Sequence, residues 1–381
     1  MFKRNLIAVS LAFAALASAQ VSAAVVGGGA TLPEDLYGTT AGTGILAKSP
    51  LPGFNAYIGV GSGAGKRAFF NNNATEFGLA SGISVDYAGS DSVVSSTELD
   101  GYKTHATLGE SSFGPLIQVP MAATSVTVPF NVSGMSSVNL TSQQLVDIFT
   151  GKTTNWNQVG GPNKQITVVY RLDGSGTTEI FVNHLKAVDD SVPAVSNNFA
   201  TAVGFNPLVN PPAGSVYAGG DGSNGVVAQV NLIDGAIGYV SPDKVEYGNA
   251  AEVASINGKL PTAVNVQETL GNVAPPSGAV AAANPVNWAP VFSATNYTGY
   301  PIVGVTNLLF SQCYKDAGDN TRIRNFLDTH YTGGNDAEVS AHSLIPLPAV
   351  WQSAVHNTFW NTANSLRIGD TSTCNGIGRP L

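Results

Sequence analysis

Three stretches of this chain repeat one arrangement: a short run of strand-forming residues, a loop of glycines and hydroxyls, then the start of a helix. They are Val25–Pro33, Tyr57–Gly65 and Val168–Thr178. Pro33 sits at the first helical position of its segment, where a missing N–H costs nothing. Each loop leaves unpaired backbone N–H groups and a hydroxyl at the positive end of a helix, a combination that suits a tetrahedral oxyanion. Glycine lets the backbone come close to a ligand without a Cβ in the way. One such loop indicates no more than a tight turn. Three of them, one led by Arg171, point to an anion site.

Around these loops, short strand-like runs alternate with short helices, the pattern of an α/β protein. Strands are predicted at 56–60, 125–129, 165–170, 236–240 and 301–305. A helix is predicted over Ser142–Phe149, opened by a Thr141-x-x-Gln144 capping box and stopped at Gly151. Two more fall at Thr177–Leu185 and Thr321–His330. In the latter, Ile323, Phe326 and Leu327 share one face and read as core. The stretches 204–225 and 271–290, rich in glycine and proline, read as loops or crossings, and no internal repeat is visible. At 381 residues the chain is more than twice a typical domain, so two lobes are expected.

Composition and motifs remove several classes of function. A formal net charge of −8 argues against a nucleic-acid partner or an anionic membrane surface. Two cysteines cannot make a four-cysteine zinc site. The histidines His105, His184, His330, His342 and His356 show no tight metal spacing, so neither metal nor cofactor is expected. Gly65-Lys66 fails as a nucleotide phosphate loop, because Val60 and Arg67 stand where a glycine and a hydroxyl residue are needed. Gly59-x-Gly61-x-x-Ala64 meets only the loose dinucleotide pattern. Ser62 and Ser175 lack the flanking glycines of a hydrolase nucleophile elbow. Asp91-Ser92 is similar to the nucleophile region of metal-dependent phosphatases, without their metal ligands in pattern.

Residues 1–23 read as an export signal. Lys3 and Arg4 start it, Leu6–Ala19 is apolar, and Val21-Ser22-Ala23 offers cleavage after Ala23. The apolar run is too short to span a bilayer comfortably, and no cysteine before Cys313 could carry a lipid. A soluble periplasmic or secreted protein without a membrane anchor is expected, beginning near Ala24. Export makes a Cys313–Cys374 disulfide reasonable, with two buried free thiols as the alternative.

The segment Gly27-Gly28-Gly29-Ala30-Thr31-Leu32-Pro33 resembles the mature N-terminus of the DING proteins, phosphate-binding relatives of PstS. The resemblance extends through Gly59-Val60-Gly61-Ser62-Gly63, Ala88-Gly89-Ser90-Asp91-Ser92, Gly235-Ala236-Ile237-Gly238-Tyr239 and Pro301-Ile302-Val303-Gly304. It continues to the closing Cys374–Leu381. It implies the two-lobed periplasmic-binding-protein fold of type II, with the ligand in the cleft. The lobes would be 24–118, 119–275 and a return segment 276–381 that rejoins the first lobe.

Carried over residue by residue, the family's phosphate contacts fall on Thr31, the backbone of Leu32, Ser62, Asp91, Arg171, Ser175, Gly176 and Thr177. Asp173 takes the place of an aspartate that holds the arginine. Leu172-Asp173-Gly174 departs from the usual DING triplet toward PstS. An earlier disulfide of the family has no cysteines here, at Val146 and 186–190, leaving only Cys313–Cys374.

The chemistry of these residues agrees with those roles. Arg171 can grip two phosphate oxygens with its planar fork, and the hydroxyls and backbone N–H groups add donors. Asp91 fits once the ligand's proton is counted: hydrogen phosphate can donate to the carboxylate, and sulfate cannot.

Capture of inorganic phosphate is therefore the leading expectation, with a phosphate ABC transporter or secretion machinery as the implied partner. The competing expectation is a secreted phosphomonoesterase, with phosphodiesterase activity as an extension, using the same site. Family members are described as low-molecular-weight alkaline phosphatases, to which this chain is similar in size and N-terminus. Ser62, Ser92 and Asp91 are the candidates for nucleophile or base, and the sequence does not choose among them. A surface or adhesion protein with an incidental anion site is a third reading.

Overall fold

The runs predicted as strands belong to two open sheets. The computed structural model describes residues 25–47, 53–290, 292 and 298–380; the export signal read at 1–23 lies outside them. Along the chain the strands are β1 (Gly27–Gly29), β2 (Ile58–Gly59), β3 (Tyr87–Ser90), β4 (Leu116–Ser125), β5 (Phe130–Asn131), β6 (Asn139–Leu140), β7 (Thr167–Arg171), β8 (Val216–Gly220), β9 (Ala236–Gly238), β10 (Ser255–Ile256) and β11 (Val303–Ser311). The first sheet has the order β2-β1-β3-β11-β4, and the second β5-β9-β7-β8. Within the first, β1, β2 and β3 are parallel and β11 runs against β3 and β4. Within the second, β7 is parallel to β8 and β9, and β5 is antiparallel. Strands β6 and β10 make a separate parallel pair. The molecule is the two-lobed α/β fold expected from the sequence.

The largest departure is β4. The sequence pattern predicts a strand at 125–129, yet the regular strand begins at Leu116 and ends at Ser125. All ten of its residues are buried, so the alternation that marks a half-buried strand is absent. It also contains Pro120, tolerated because β4 is an edge strand and the register slips beside it, Met121 being the extra residue of β4 opposite the Thr306–Asn307 step of β11. The boundary expected between 118 and 119 falls inside this strand, which stays in the first sheet through Ser125. Residues 126–129 then cross to the second sheet. Val126 N–H donates to Ile302 O, and Thr127 exchanges backbone hydrogen bonds with Val240.

Helix Ser142–Phe149 forms as predicted, with both halves of the Thr141/Gln144 capping box made. Helices Gly176–Val188 and Ala317–Tyr331 run a few residues beyond their predicted ends. The stretch 204–225, read as a loop, contains β8 and the start of helix Gly222–Leu232. Its paired glycines, Gly219 and Gly220, hide the strand from pattern reading.

Aromatic packing gives each lobe its core. In the second lobe Phe181 packs 4.6 Å from both Phe149 and Tyr239. In the first, Tyr57 lies between Tyr37 and Tyr87. The C-terminal segment is tied to the first lobe by the Cys313–Cys374 disulfide, with Cα atoms 5.2 Å apart. Beyond it Arg379 is fully buried between the rings of Phe69 and Phe113, 4.1 and 4.0 Å from their centroids.

Candidate anion-binding site

The three glycine loops follow the carboxyl ends of parallel strands β1, β2 and β7, where open α/β sheets bind ligands. β1 leads into Thr31 and Leu32, β2 into Ser62, β3 into Asp91, and β7 ends on Arg171 itself. Ser62 is the first residue of helix Ser62–Phe70, and Ser175 is the N-cap of helix Gly176–Val188. The first N–H groups of both helices have no intrahelical acceptor. Gly61 turns the chain into its helix with φ +86°, a conformation that disfavours any Cβ.

The two lobes meet at these residues. Arg171 Nη2 donates to Thr31 Oγ1 at 3.3 Å, and Gly63 N–H to Gly174 O at 3.1 Å. Gly176 lies so close to Asp91 that a Cβ added there would stand 2.3 Å from Asp91 Cβ. Val93 N–H donates to Glu179 at 2.9 Å, and Lys244 of the second lobe pairs with Asp35 of the first at 2.7 Å. The sequence-predicted residues are thus brought together from both sides of one cleft. Leu32, Ser62, Asp91, Arg171, Ser175 and Thr177 are all buried, and Thr31 is half-buried.

Arg171 is held before any ligand arrives. Its Nε donates to Asp173 Oδ1 at 2.7 Å, Nη2 donates to Asp173 Oδ2, and Nη1 donates to Ser223 Oγ at 3.2 Å. Burial alone would raise the Asp173 carboxyl, but the hydrogen bonds and charge of Arg171 outweigh it and hold the carboxyl below its usual value. Ser62 Oγ accepts from Asp91 N–H at 3.1 Å, which leaves the hydroxyl proton to donate.

Two groups stand out. Asp91 Oδ1 and Thr177 Oγ1 are buried and make no hydrogen bond within the chain. Burial pushes the Asp91 carboxyl up to about 7, against the pull of Thr306 and Arg171 and with repulsion from Asp243 and Glu179. Seven other buried polar atoms among the described residues also lack a partner, but Asp91 Oδ1 lies in the cleft near Arg171, where a ligand could satisfy it. An anion that carries a proton matches it, because the arginine takes the charge and Asp91 takes the proton.

Pattern reading missed three supporting residues. Ser223 accepts from Arg171; it follows another strand–glycine–helix junction, which was the available signal. Tyr239 Oη accepts the Arg171 N–H at 3.2 Å and pairs with Thr178 Oγ1 at 2.7 Å. Glu179 holds Val93 across the cleft, and burial pushes its carboxyl up to about 7. Among the described residues, no group of three or more His, Cys, Asp or Glu is placed to hold a metal, and no helix is long and apolar enough to cross a membrane.

A PBP superfamily domain model matches residues 14–328. The chain is 45% identical over 387 residues to "Alkaline phosphatase L" of Pseudomonas aeruginosa, a match covering all of both chains. It is 40% identical to a "Phosphate-binding protein" of an unknown prokaryotic organism, across 93% of this chain and 99% of the other. The solved structure of a high-affinity periplasmic phosphate-binding protein, PfluDING, bound with phosphate, superposes with a TM-score of 0.83. It shares 41% identity and covers 94% of this chain and 100% of its own. The chain is a DING/PstS-like member of the PBP superfamily. In this DING/PstS-like chain the site at the strand ends lies between the two sheets.

Proposed function

We propose that this chain captures inorganic phosphate, as hydrogen phosphate, between its two lobes. The observation that carries the reading is the buried, unpartnered Asp91 Oδ1 beside the pre-set Arg171 fork. Arg171 binds two oxygens of the anion. Thr31, Ser62, Ser175 and Thr177 supply hydroxyls, and the backbones of Leu32 and Gly176 supply N–H groups. Asp91 accepts the ligand's proton and Asp173 keeps the arginine oriented. The relatives named for phosphate binding support the same reading. The first lobe runs to Ser125 and is rejoined by the segment containing β11. Export to the periplasm or beyond, and delivery to a phosphate ABC transporter, belong to the proposal. They are supported by the periplasmic relative and by the more distant PstS proteins. Calorimetric titration of the mature chain tests the reading: phosphate binds, sulfate binds far more weakly, and Arg171→Ala abolishes both.

A second reading, a phosphatase acting at the same site, is favoured by the full-length match to "Alkaline phosphatase L". Of the candidate nucleophiles, Ser62 has a free hydroxyl proton, whereas Ser92 Oγ lies 3.2 Å from Ser90 Oγ. Turnover of an aryl phosphate by purified protein tests it. Activity that survives Arg171→Ala unchanged belongs to another site or another protein.

A further inference from the structure

A cavity of about 670 Å³ lies between the lobes, beside the anion site. Asp91 lines it, and Lys66, Val94 and Val305 of the first lobe share it with Ile180 and Asn183 of the second. Ile180 and Asn183 belong to the same helix that begins with Gly176 and Thr177. The anion site and the cavity therefore share one helix and one carboxylate. The volume falls in the range of small-molecule sites and far exceeds what an oxyanion fills.

The charges on its walls decide what fits. Among the described residues that face the cavity, Asp91, Glu98 and Glu179 stand with a single cation, Lys66. That ammonium is already held by Glu98 at 3.0 Å and by Val93 O at 3.3 Å. A second phosphoryl group would meet an excess of carboxylates without a free cation, so a diphosphate is disfavoured. Val94, Ile180 and Val305 instead offer branched apolar surface, which suits an uncharged organic group.

Asp91 also sets a direction. Hydrogen phosphate presents its hydroxyl to this carboxyl, so a substituent carried on that oxygen leads past Asp91 toward the cavity. We propose that this cavity is a subsite for the uncharged, apolar organic group of a phosphate monoester whose phosphoryl group occupies the anion site. The inference rests on the reading of that site as a phosphate site. With an ester oxygen in place of the hydroxyl, the Asp91 carboxyl takes the protonated form and donates to it; the pressure of burial on this group favours that form. The organic group then lies between Ile180 and Val305, and both lobes close on it.

The test is competitive calorimetric titration of the full mature chain with inorganic phosphate and with phenyl phosphate, which keeps the ester oxygen; phenol release is followed in parallel so that only intact ester is counted. Phenyl phosphate is expected to displace phosphate one for one. Two substitutions fill the cavity from opposite lobes: Asn183→Trp, and Ser96→Trp at the start of helix Ser96–Thr104. Each is expected to weaken phenyl phosphate at least tenfold and phosphate less than twofold. The retained phosphate binding certifies that the variant is folded. Phosphate binding without competition by phenyl phosphate overturns the subsite. So does a pair of variants in which the two ligands weaken equally or neither weakens. A wild-type chain that takes no phosphate overturns the parent reading, and the subsite with it.

Discussion

Asp173 clamps Arg171 from two residues away, its two carboxylate oxygens accepting from Nε and Nη2 of one guanidinium. The arginine is buried and the aspartate half-buried, their side chains 1% and 19% exposed. The clamp fixes the plane of the fork and leaves the anion to compete for the same positive charge. Removing one partner of such a pair leaves a buried charge uncompensated, a loss of about 3 kcal/mol. Asp173→Ala is therefore expected to destabilise the phosphate-free chain by about that amount. At saturating phosphate the deficit should shrink, because the anion now takes up the guanidinium charge. By linkage, phosphate affinity should then tighten. Thermal melts with and without phosphate check this, and an equal deficit in both contradicts the competition.

The Cys313–Cys374 bridge joins positions 61 residues apart and lies in the same C-terminal region as the buried Arg379. Closing a loop of that length restricts the unfolded chain by about 4 kcal/mol in the chain-entropy model. Neither cysteine is among the proposed phosphate contacts. Reduction is expected to lower the melting temperature by several degrees and to change phosphate affinity less than twofold. A large loss of affinity on reduction would place the bridge in the binding machinery instead.

Without phosphate, stability should fall as pH rises. Burial pushes the Asp91 carboxyl up to about 7, so the native chain keeps a proton that the unfolded chain releases near pH about 4. The stability due to that proton is full below pH about 4 and is lost as pH rises through about 7. The gap corresponds to on the order of 4 kcal/mol. Asp86 and Glu179, also pushed up to about 7 by burial, act in the same direction. Asp173, held low, acts oppositely: its contribution is lost as pH falls through its folded value. Asp91→Asn should flatten the decline between pH about 4 and 7 without abolishing it. Denaturant titrations at several pH values measure the slope, and an unchanged slope contradicts the assignment.

What the sequence showed and what it hid divide along chain distance. The anion loops were legible because a strand end, a glycine turn and a hydroxyl N-cap are all local chemistry. Helix Ser142–Phe149 was legible for the same reason, through its capping box. The supports of Arg171 were not, since Ser223 and Tyr239 reach it from 52 and 68 residues away. Glu179 meets Val93 across 86 residues, a contact that exists only once the lobes have come together. Strand β4 was misplaced because complete burial erases alternation and Pro120 argues against a strand unless the bulge at Met121 is known. The resemblance to the DING proteins carried Asp91 into the site; no local pattern separates a proton acceptor there from a helix cap.

Asp91 is also the residue that should separate phosphate from sulfate. In the wild type its buried carboxyl, unpartnered within the chain at Oδ1, accepts the proton of hydrogen phosphate. Sulfate has no proton to offer at neutral pH, so it meets carboxylate repulsion and forfeits a hydrogen bond, a penalty of several kcal/mol in a buried site. Asp91→Asn keeps the size and removes the charge. Phosphate affinity should change modestly, because one charge-assisted bond is lost while a repulsive charge beside the anion also disappears. The amide can donate to any oxyanion, so sulfate should gain far more than phosphate. The quantity to measure is the ratio of the two affinities at constant ionic strength and a pH of about 8, where hydrogen phosphate dominates. That ratio is expected to fall by two orders of magnitude or more, about 2.8 kcal/mol. A ratio that stays the same removes Asp91 as the selector and, with it, the proposed arrangement of the cleft.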